Sequence, residues 1–339
     1  MNKEEIFEVY KNISTPNNKE KRELKEMSFD MLHQMAYFAD KQIEDMLKKQ
    51  VAGTLETTPE VDYVIGNIID TSNKSKQIFM EKFLKEKDLY TLTCENTKTV
   101  FMVGDEITLI NGEAEKDKIL EMISENLTGV VCEKIDSSEK ALEYIKIGMD
   151  NGADKIMCVY NENKGFHIET NAVEKIIGKS EIENKELRKF MINFFQNLRA
   201  GKYIKELDNL MLSKLMSSKL YLMNSDEDNN TGKIGVELVE NDKAKPIAIV
   251  FSSIQIGKKS NSFKLFEENN GSKKTGFKPI SFSGLLGLIK SLNMYGFVVD
   301  KNDVAFYVGG ENLDGIIKMK EEYDKFLEEK KKEAESKED

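Results

Sequence analysis

The chain has no tryptophan, two histidines, three cysteines and four prolines among its 339 residues. Each scarcity removes a class of function. With only His33 and His167 present, neither a histidine-rich metal centre nor a mechanism built on paired histidines is available. The cysteines, Cys94, Cys132 and Cys158, are odd in number, widely spaced and set among apolar residues. That pattern argues for reduced, buried thiols rather than a disulfide framework, and so for a reducing compartment. No stretch approaches the roughly 18 apolar residues of a membrane helix. The charged start Met1-Asn2-Lys3-Glu4-Glu5 leads into no apolar leader. A formal charge of −10 repels polyanions, and basic residues cluster only as pairs such as Lys258-Lys259 and Lys273-Lys274. No nucleic-acid face and no membrane contact are expected; a soluble, cytoplasmic protein is. The preference for Lys over Arg, with many Asn and Ile, has the look of an AT-rich coding bias.

What the sequence does contain is repetition. Phe79, Met80, Leu84, Leu89, Tyr90 and Leu92 recur without a gap as Leu210, Met211, Leu215, Leu220, Tyr221 and Met223. Further on, Ile145, Lys146 and Gly152 match Ile289, Lys290 and Gly296, and Phe166-His167-Ile168 matches Phe306-Tyr307-Val308. A last helix carries Val173, Ile176 and Ile177 against Leu313, Ile316 and Ile317. A period this long means a duplicated domain rather than a solenoid. The expected organisation is a helical N-terminal extension over 1–57, a first repeat over 58–179, a second over 180–318 and a charged tail over 319–339. The tail reads as a solvated helix that frays.

Within this frame, Leu24, Met27, Met31, Met35, Phe38, Ile43, Met46 and Leu47 fall at helical spacing in the extension. This amphipathic helix packs on a repeat, pairs with another copy or receives a partner. Thr58-Pro59-Glu60 opens the next helix, Asp136-Ser137-Ser138-Glu139 starts one through Met149, and Ser180-Glu181-Ile182-Glu183 starts a stretch through about Ser217. Phe190, Ile192, Phe194, Phe195 and Leu198 mark that stretch as buried. A hairpin is expected across Gly104-Asp105, strands at 220–223, 234–239 and 247–251, and a long polar, mobile loop from Gly257 to about Pro279. The fold class is α+β, two tandem mixed α/β domains with an N-terminal amphipathic helical extension.

Candidate chemistry is sparse. Asp226, Asp228, Asn230 and Glu237 imitate calcium-loop spacing, but Thr231 stands at the glycine position, and a hairpin turn is the better reading. Gly271 to Gly276 lacks the Lys-Ser/Thr of a P-loop, and Ser252-Ser253 has no nucleophile-elbow context. No catalytic residue, metal ligand or cofactor site is assigned.

The second repeat, with Leu220-Tyr221-Leu222, Ile234 to Val239, Pro246 to Phe251 ending in Phe251-Ser252-Ser253, a leucine-rich helix near 285–292 and Gly296 to Asp300, resembles the SseB family, named for enhanced serine sensitivity. Phe251-Ser252-Ser253 stands at that family's Phe-Thr-Ser-like turn, while Asp300-Lys301 replaces its usual Asn-Pro. The resemblance implies a small α+β domain of bacterial cytoplasmic proteins without an established catalytic site. The leading expectation is a non-enzymatic module, regulatory in role, that binds a protein or peptide through exposed edges, the polar loop and the N-terminal helix. Lys258, Lys259, Lys273, Lys274, Met31, Met35 and Phe38 are the candidate contact residues. Self-association through the Met-rich helix and a small-molecule sensor or enzyme with its pocket between the repeats are the alternatives.

Overall fold

The computed structural model describes residues 24–95, 99–161, 164–225, 233–238, 245–271 and 274–335. The chain divides into two compact units, the first drawn from Met1–Glu125, Val130–Met149 and Ala153–Lys179, the second from Asn126–Gly129, Asp150–Gly152 and Ser180–Asp339.

The first unit opens with α1 (Phe29–Val51) and α2 (Pro59–Phe83). Ser28 caps α1 by accepting the Met31 N–H at 3.2 Å, and Thr58 caps α2, with Pro59 in its first turn as the sequence suggests. Ala39 and Met46 of α1 pack with Val61, Val64, Ile65 and Ile68 of α2 and with Leu55. Leu55, between the two helices, is buried in the same cluster, and α1 belongs to the first unit. Lys76, with 5% side-chain exposure, is held between Asp40 of α1 at 2.9 Å and Glu169 at 2.7 Å.

The sheet of this unit is built from β1 (Leu89–Cys94), β2 (Met102–Val103), β3 (Glu106–Asn111), β4 (Val130–Ile135), β5 (Lys155–Tyr160) and β6 (Lys164–Glu169). Its order is β4-β1-β3-β5-β6, with β2 paired to β3. Among the described residues only β3 and β5 run parallel; the crossover between them carries α3 (Glu113–Ser124), β4 and α4 (Ser138–Asp150). A 3₁₀ turn (Thr170–Val173) and the short α5 (Glu174–Ile177) close the unit.

The second unit begins with α6 (Lys185–Arg199) and α7 (Lys205–Ser217). Its strands are β7 (Lys219–Ser225), β8 (Lys233–Ile234), β9 (Val236–Leu238), β10 (Pro246–Phe251), β11 (Thr275–Ser281), β12 (Gly296–Val299) and β13 (Phe306–Gly309), in the order β11-β7-β10-β12-β13. Again, among the described residues, one pair alone, β10 with β12, is parallel. Its crossover carries α8 (Ile254–Lys259), α9 (Asn261–Asn270), β11 and α10 (Phe282–Ser291), and α11 (Glu311–Glu335) ends the chain.

The duplication extends to residue register. Tyr90 faces Ile110 as Tyr221 faces Phe251, Leu109 faces Cys158 as Val250 faces Val299, and Cys158 faces Phe166 as Val299 faces Phe306. Between the first and third strands of each unit a short segment is wedged in the same way. The Phe101 N–H donates to the Leu92 carbonyl at 2.8 Å where the Gly235 N–H donates to Met223 at 3.0 Å. Met102 then pairs with Ile107 where Val236 pairs with Ala248.

Several expectations need correction. The strand register sets Gly152 against Asn293, not Gly296. Both residues follow a helix with positive φ, 100° and 52°, a conformation that Gly and Asn share. Gly296 is required for another reason, because a Cβ there would collide with the Val308 carbonyl oxygen. The segment from Gly257 to Pro279 is not a loop but α8, α9 and edge strand β11. Its buried Phe263 packs on Phe277 with ring centroids 4.5 Å apart, and its polar residues are the solvent side of these elements. The helical stretch expected from Ser180 starts at Lys185 and breaks at Gly201, where φ is 81°. Ser180 instead donates to Asp150 at 3.0 Å. Phe190, Phe194 and Phe195 are half-buried and Leu198 is exposed, so the deep side of α6 is Leu187, Arg188, Met191, Ile192, Asn193 and Gln196. The strand expected at 234–239 is split at Gly235, and Val239 lies outside the described residues. No boundary falls at Met319; α11 runs through it, while 336–339 lie outside the described residues. The hairpin reading of Asp226 to Gly232 also lies outside them, and Glu237 is engaged by Lys301.

Two outcomes follow from the packing. Phe251 is fully buried, with its ring 5.8 Å from Phe277, whereas Phe306 is half-buried. Phe251→Ala should cost about 3–5 kcal/mol in chemical denaturation of the second unit, and Phe306→Ala clearly less. The second outcome concerns α1. His33 accepts from or donates to the Tyr160 hydroxyl at 2.9 Å and stacks on Phe166 at 4.2 Å. Burial lowers its pKa from the ordinary 6.5, opposed by Asp30 and reinforced weakly by His167 and Lys164. The unfolded chain then takes up a proton before the folded chain does. Stability should be full above the ordinary value and fall as pH drops through it toward the lower folded value. Thermal midpoints measured between about pH 7.5 and 5 should show this decline, and His33→Phe should flatten it.

Candidate functional site

Of the residues expected to contact a partner, three lie on one stripe of α1. Met31, Met35 and Phe38 are spaced i, i+4 and i+7. Met31 is 53% exposed and Phe38 62%, with Met35 half-buried between them. Other faces of the helix are fixed by Asp40 on Lys76, by His33 on Tyr160 and by Asp30 on Lys164 at 3.0 Å. The stripe is therefore carried on a held helix.

The lysines are elsewhere. Lys258 and Lys259 are exposed in the last turn of α8, Lys259 facing Asp150 at 3.3 Å. Lys274 is exposed just before β11, and Lys273 lies outside the described residues. All belong to the second unit, α1 to the first, so neither unit alone holds both groups.

A second constellation was not anticipated from sequence. Where β10 and β12 end, side by side and parallel, Ser252 follows Phe251 and Asp300 follows Val299. The Asp300 carboxylate, entirely buried, accepts from the Ser252 N–H at 2.7 Å, the Ser252 hydroxyl at 2.6 Å and Arg188 Nη1 at 3.0 Å. Arg188, with 3% side-chain exposure, donates from Nε to the Asp150 carbonyl at 2.6 Å and from Nη2 to Asn151 at 2.8 Å and to Asp303. Burial pushes the Asp300 pKa up, while Arg188 and the two Ser252 bonds pull it back. Beside them Glu183 accepts from the Ser253 hydroxyl and from the Ile254 N–H at 3.2 Å. Ser252 lies in the Phe-Ser-Ser turn after β10 and Asp300 at the position where the chain departs from the SseB pattern, and the two are bonded to each other. Arg188 gave no sequence signal beyond being a cation among Leu187, Met191 and Ile192.

The first unit shows what the fold requires at this place. By strand register Asn111 corresponds to Ser252 and Val159 to Asp300. Val159 is buried and apolar. The neighbouring Tyr160 is covered by Phe29 at 5.7 Å and by His33. The same architecture thus closes with an aromatic plug in one unit and with buried ions in the other. Buried ion pairs seldom out-stabilise apolar packing, so the network is not a demand of the topology. Ser252 is fully buried with its hydroxyl committed to Asp300, an arrangement for positioning the turn rather than for attacking a substrate.

Among the described residues no group of three or more His, Cys, Asp and Glu side chains is placed to hold a metal ion, and no helix is long and apolar enough to cross a membrane. Cys94 and Cys158 are buried and Cys132 half-buried, all as free thiols. Burial pushes the Cys132 thiol up to about 11.

Arg188→Met should strand a buried carboxylate and cost about 3–5 kcal/mol. The double variant R188M/D300V, which copies Val159, should recover most of that loss in chemical denaturation. A double variant no more stable than the single one would show that the second unit needs its ions to fold.

No family model, no curated protein and no solved structure matches the chain.

Proposed function

We propose that the chain is a non-enzymatic, SseB-like protein- or peptide-binding module of the bacterial cytoplasm, with a regulatory role. The observation that carries this reading is the stripe Met31, Met35 and Phe38 on a helix whose other contacts hold it in place. Methionine and phenylalanine at i, i+4 and i+7 are anchors of the helix-in-groove mode of recognition, and Met adapts to the shape of what it meets. A held helix loses little conformational freedom on binding. The partner suited to it is a protein segment with its own apolar helical face. The free thiols support the cytoplasmic part of the reading. Small-molecule sensing is a second reading, favoured by a cleft in the second unit.

The test is photo-crosslinking from Gln34, exposed on α1, in cells of the source organism, comparing the native chain with Met31→Ser/Phe38→Ser. A protein crosslinked to the native chain should be lost from the variant with its folded spectrum unchanged. Equal yields from both would remove α1 as the binding face, and a crosslink to the same chain would make the partner a second copy.

A further inference from the structure

The last helix, α11, carries an apolar stripe of its own. Ile316 is buried, and so is Lys320, whose ammonium is bonded to Asp324, so the first turns of α11 lie against the second unit. Beyond them the apolar residues turn outward: Met319 is 39% exposed and Phe326 53%, with Tyr323 half-buried between them. Met319, Tyr323 and Phe326 stand at i, i+4 and i+7, the same spacing as Met31, Met35 and Phe38 on α1. At the next turn each stripe continues into a long polar side chain, Gln42 on α1 and Lys330 on α11. One chain therefore presents to solvent two helices whose stripes match in length and in residue type. Beside each stripe, on one side, runs a row of exposed polar residues. On α1 it is Gln34 and Lys41, one position ahead of Met35 and Gln42; on α11 it is Glu322 and Glu329, one position ahead of Tyr323 and Lys330.

We propose that the occupant of the α1 stripe is α11 of a second copy of this chain, docked antiparallel. The inference rests on the reading of α1 as a binding face and names what fills it. Residues flanking a helical seam set which helices pair and in which direction, and here they separate the alternatives. In an antiparallel pair the two flanking rows face each other. Pairing α11 with α11 sets Glu322 against Glu329 twice, a like-charge contact that opposes association. Pairing α1 with α1 sets Lys41 against Gln34 and makes no ion pair. Pairing α1 with α11 sets Lys41 against Glu322 and Gln34 against Glu329, an ion pair and a hydrogen bond. The same register matches the stripes, with Met35 on Phe326, Phe38 on Tyr323, Met31 on the stem of Lys330 and Gln42 on Met319. Sulfur beside an aromatic ring and ring against ring are both favourable contacts. A parallel arrangement would turn Glu322 and Glu329 toward the row of Leu32 and Ala39, which is buried in the first unit and carries no charge. Each copy offers one α1 and one α11, so the contact closes as a reciprocal pair or a ring, or continues as an open chain. A seam of four side chains per helix makes a weak contact, with a dissociation constant on the order of 10 µM or higher.

The experiment is sedimentation velocity of the intact purified chain from about 1 to about 200 µM. The mean mass should rise across that range. Phe38→Ser and Phe326→Ser should each weaken association about tenfold or more, with the folded spectrum unchanged. An equimolar mixture of these two variants should recover a pair, because one keeps its α11 stripe and the other its α1 stripe. Lys41→Glu and Glu322→Lys should each weaken association, and the double variant K41E/E322K, which restores the ion pair with its charges exchanged, should recover it. A chain that stays monomeric throughout, association unchanged in Phe326→Ser, a mixture that stays monomeric, or no recovery in the charge-exchanged variant would each overturn the assignment. The two readings fail separately. A monomeric chain removes α11 as the occupant and leaves the α1 stripe to another protein, whereas equal crosslinking yields from the native chain and Met31→Ser/Phe38→Ser remove the α1 face itself.

Discussion

Two parallel strands lying side by side cannot be joined by a tight turn, and in each unit one parallel pair sets the course of everything around it. The chain must leave the end of β3 or β10, cross the sheet and return to start β5 or β12 in the same direction. Both units use that excursion to lay down an edge strand on the far side of β1 or β7. The strands between become interior, which is why all six residues of β1 are buried and five of the six in β10. The exposed edges are blunted at the same register position by different means. Lys134 faces Tyr90 and Pro279 faces Tyr221; a lysine is charged and a proline has no N–H, and either discourages another strand from adding on.

The carboxyl ends of the parallel pair are the place where the units part company. One closes with Tyr160, Phe29 and His33; the other holds a guanidinium and a carboxylate away from water. Burying an ion pair costs desolvation that its Coulombic attraction only partly offsets. The first unit closes with buried Val159 at the register position that Asp300 occupies in the second. The arrangement is understandable if the second unit trades stability for a shaped cleft beside Asp303, with Arg188 ordering a turn in which Asp300 and Asn302 hold left-handed φ of 51° and 71°.

The Leu-Tyr motif, the aromatic closing strand and the capping residue Thr58 were legible because they rest on local rules: alternation, helical spacing and side-chain caps. The helix-to-strand junction was not, since Gly152 and Asn293 satisfy the same positive φ with different residues while Gly296 tempts a false match. The segment 257–279 reads as a loop because its edge strand and short helices show mostly polar faces to solvent. Only Phe263, Phe266 and Phe277 betray its core contact. The Arg188 network was hidden for a different reason. Its members come from α6, the end of α4, and the turns after β10 and β12, and nothing in linear spacing announces that residues 150, 188, 252 and 300 meet.

The stripe on α1, by contrast, was visible from spacing alone, and the structure adds why it matters. An amphipathic helix usually buries its apolar residues on one side; α1 buries Leu32, Ala36, Ala39 and Met46 yet leaves Met31 and Phe38 in water. Lys76 between Asp40 and Glu169, a charge withdrawn from solvent and compensated on both sides, binds the helix to its unit. Exposed apolar side chains on a loosely attached helix would turn inward and be covered. On a helix pinned by an ion cluster and by the stacked His33 they stay outward, so the cost of their exposure is carried by the fold and recovered when a partner covers them.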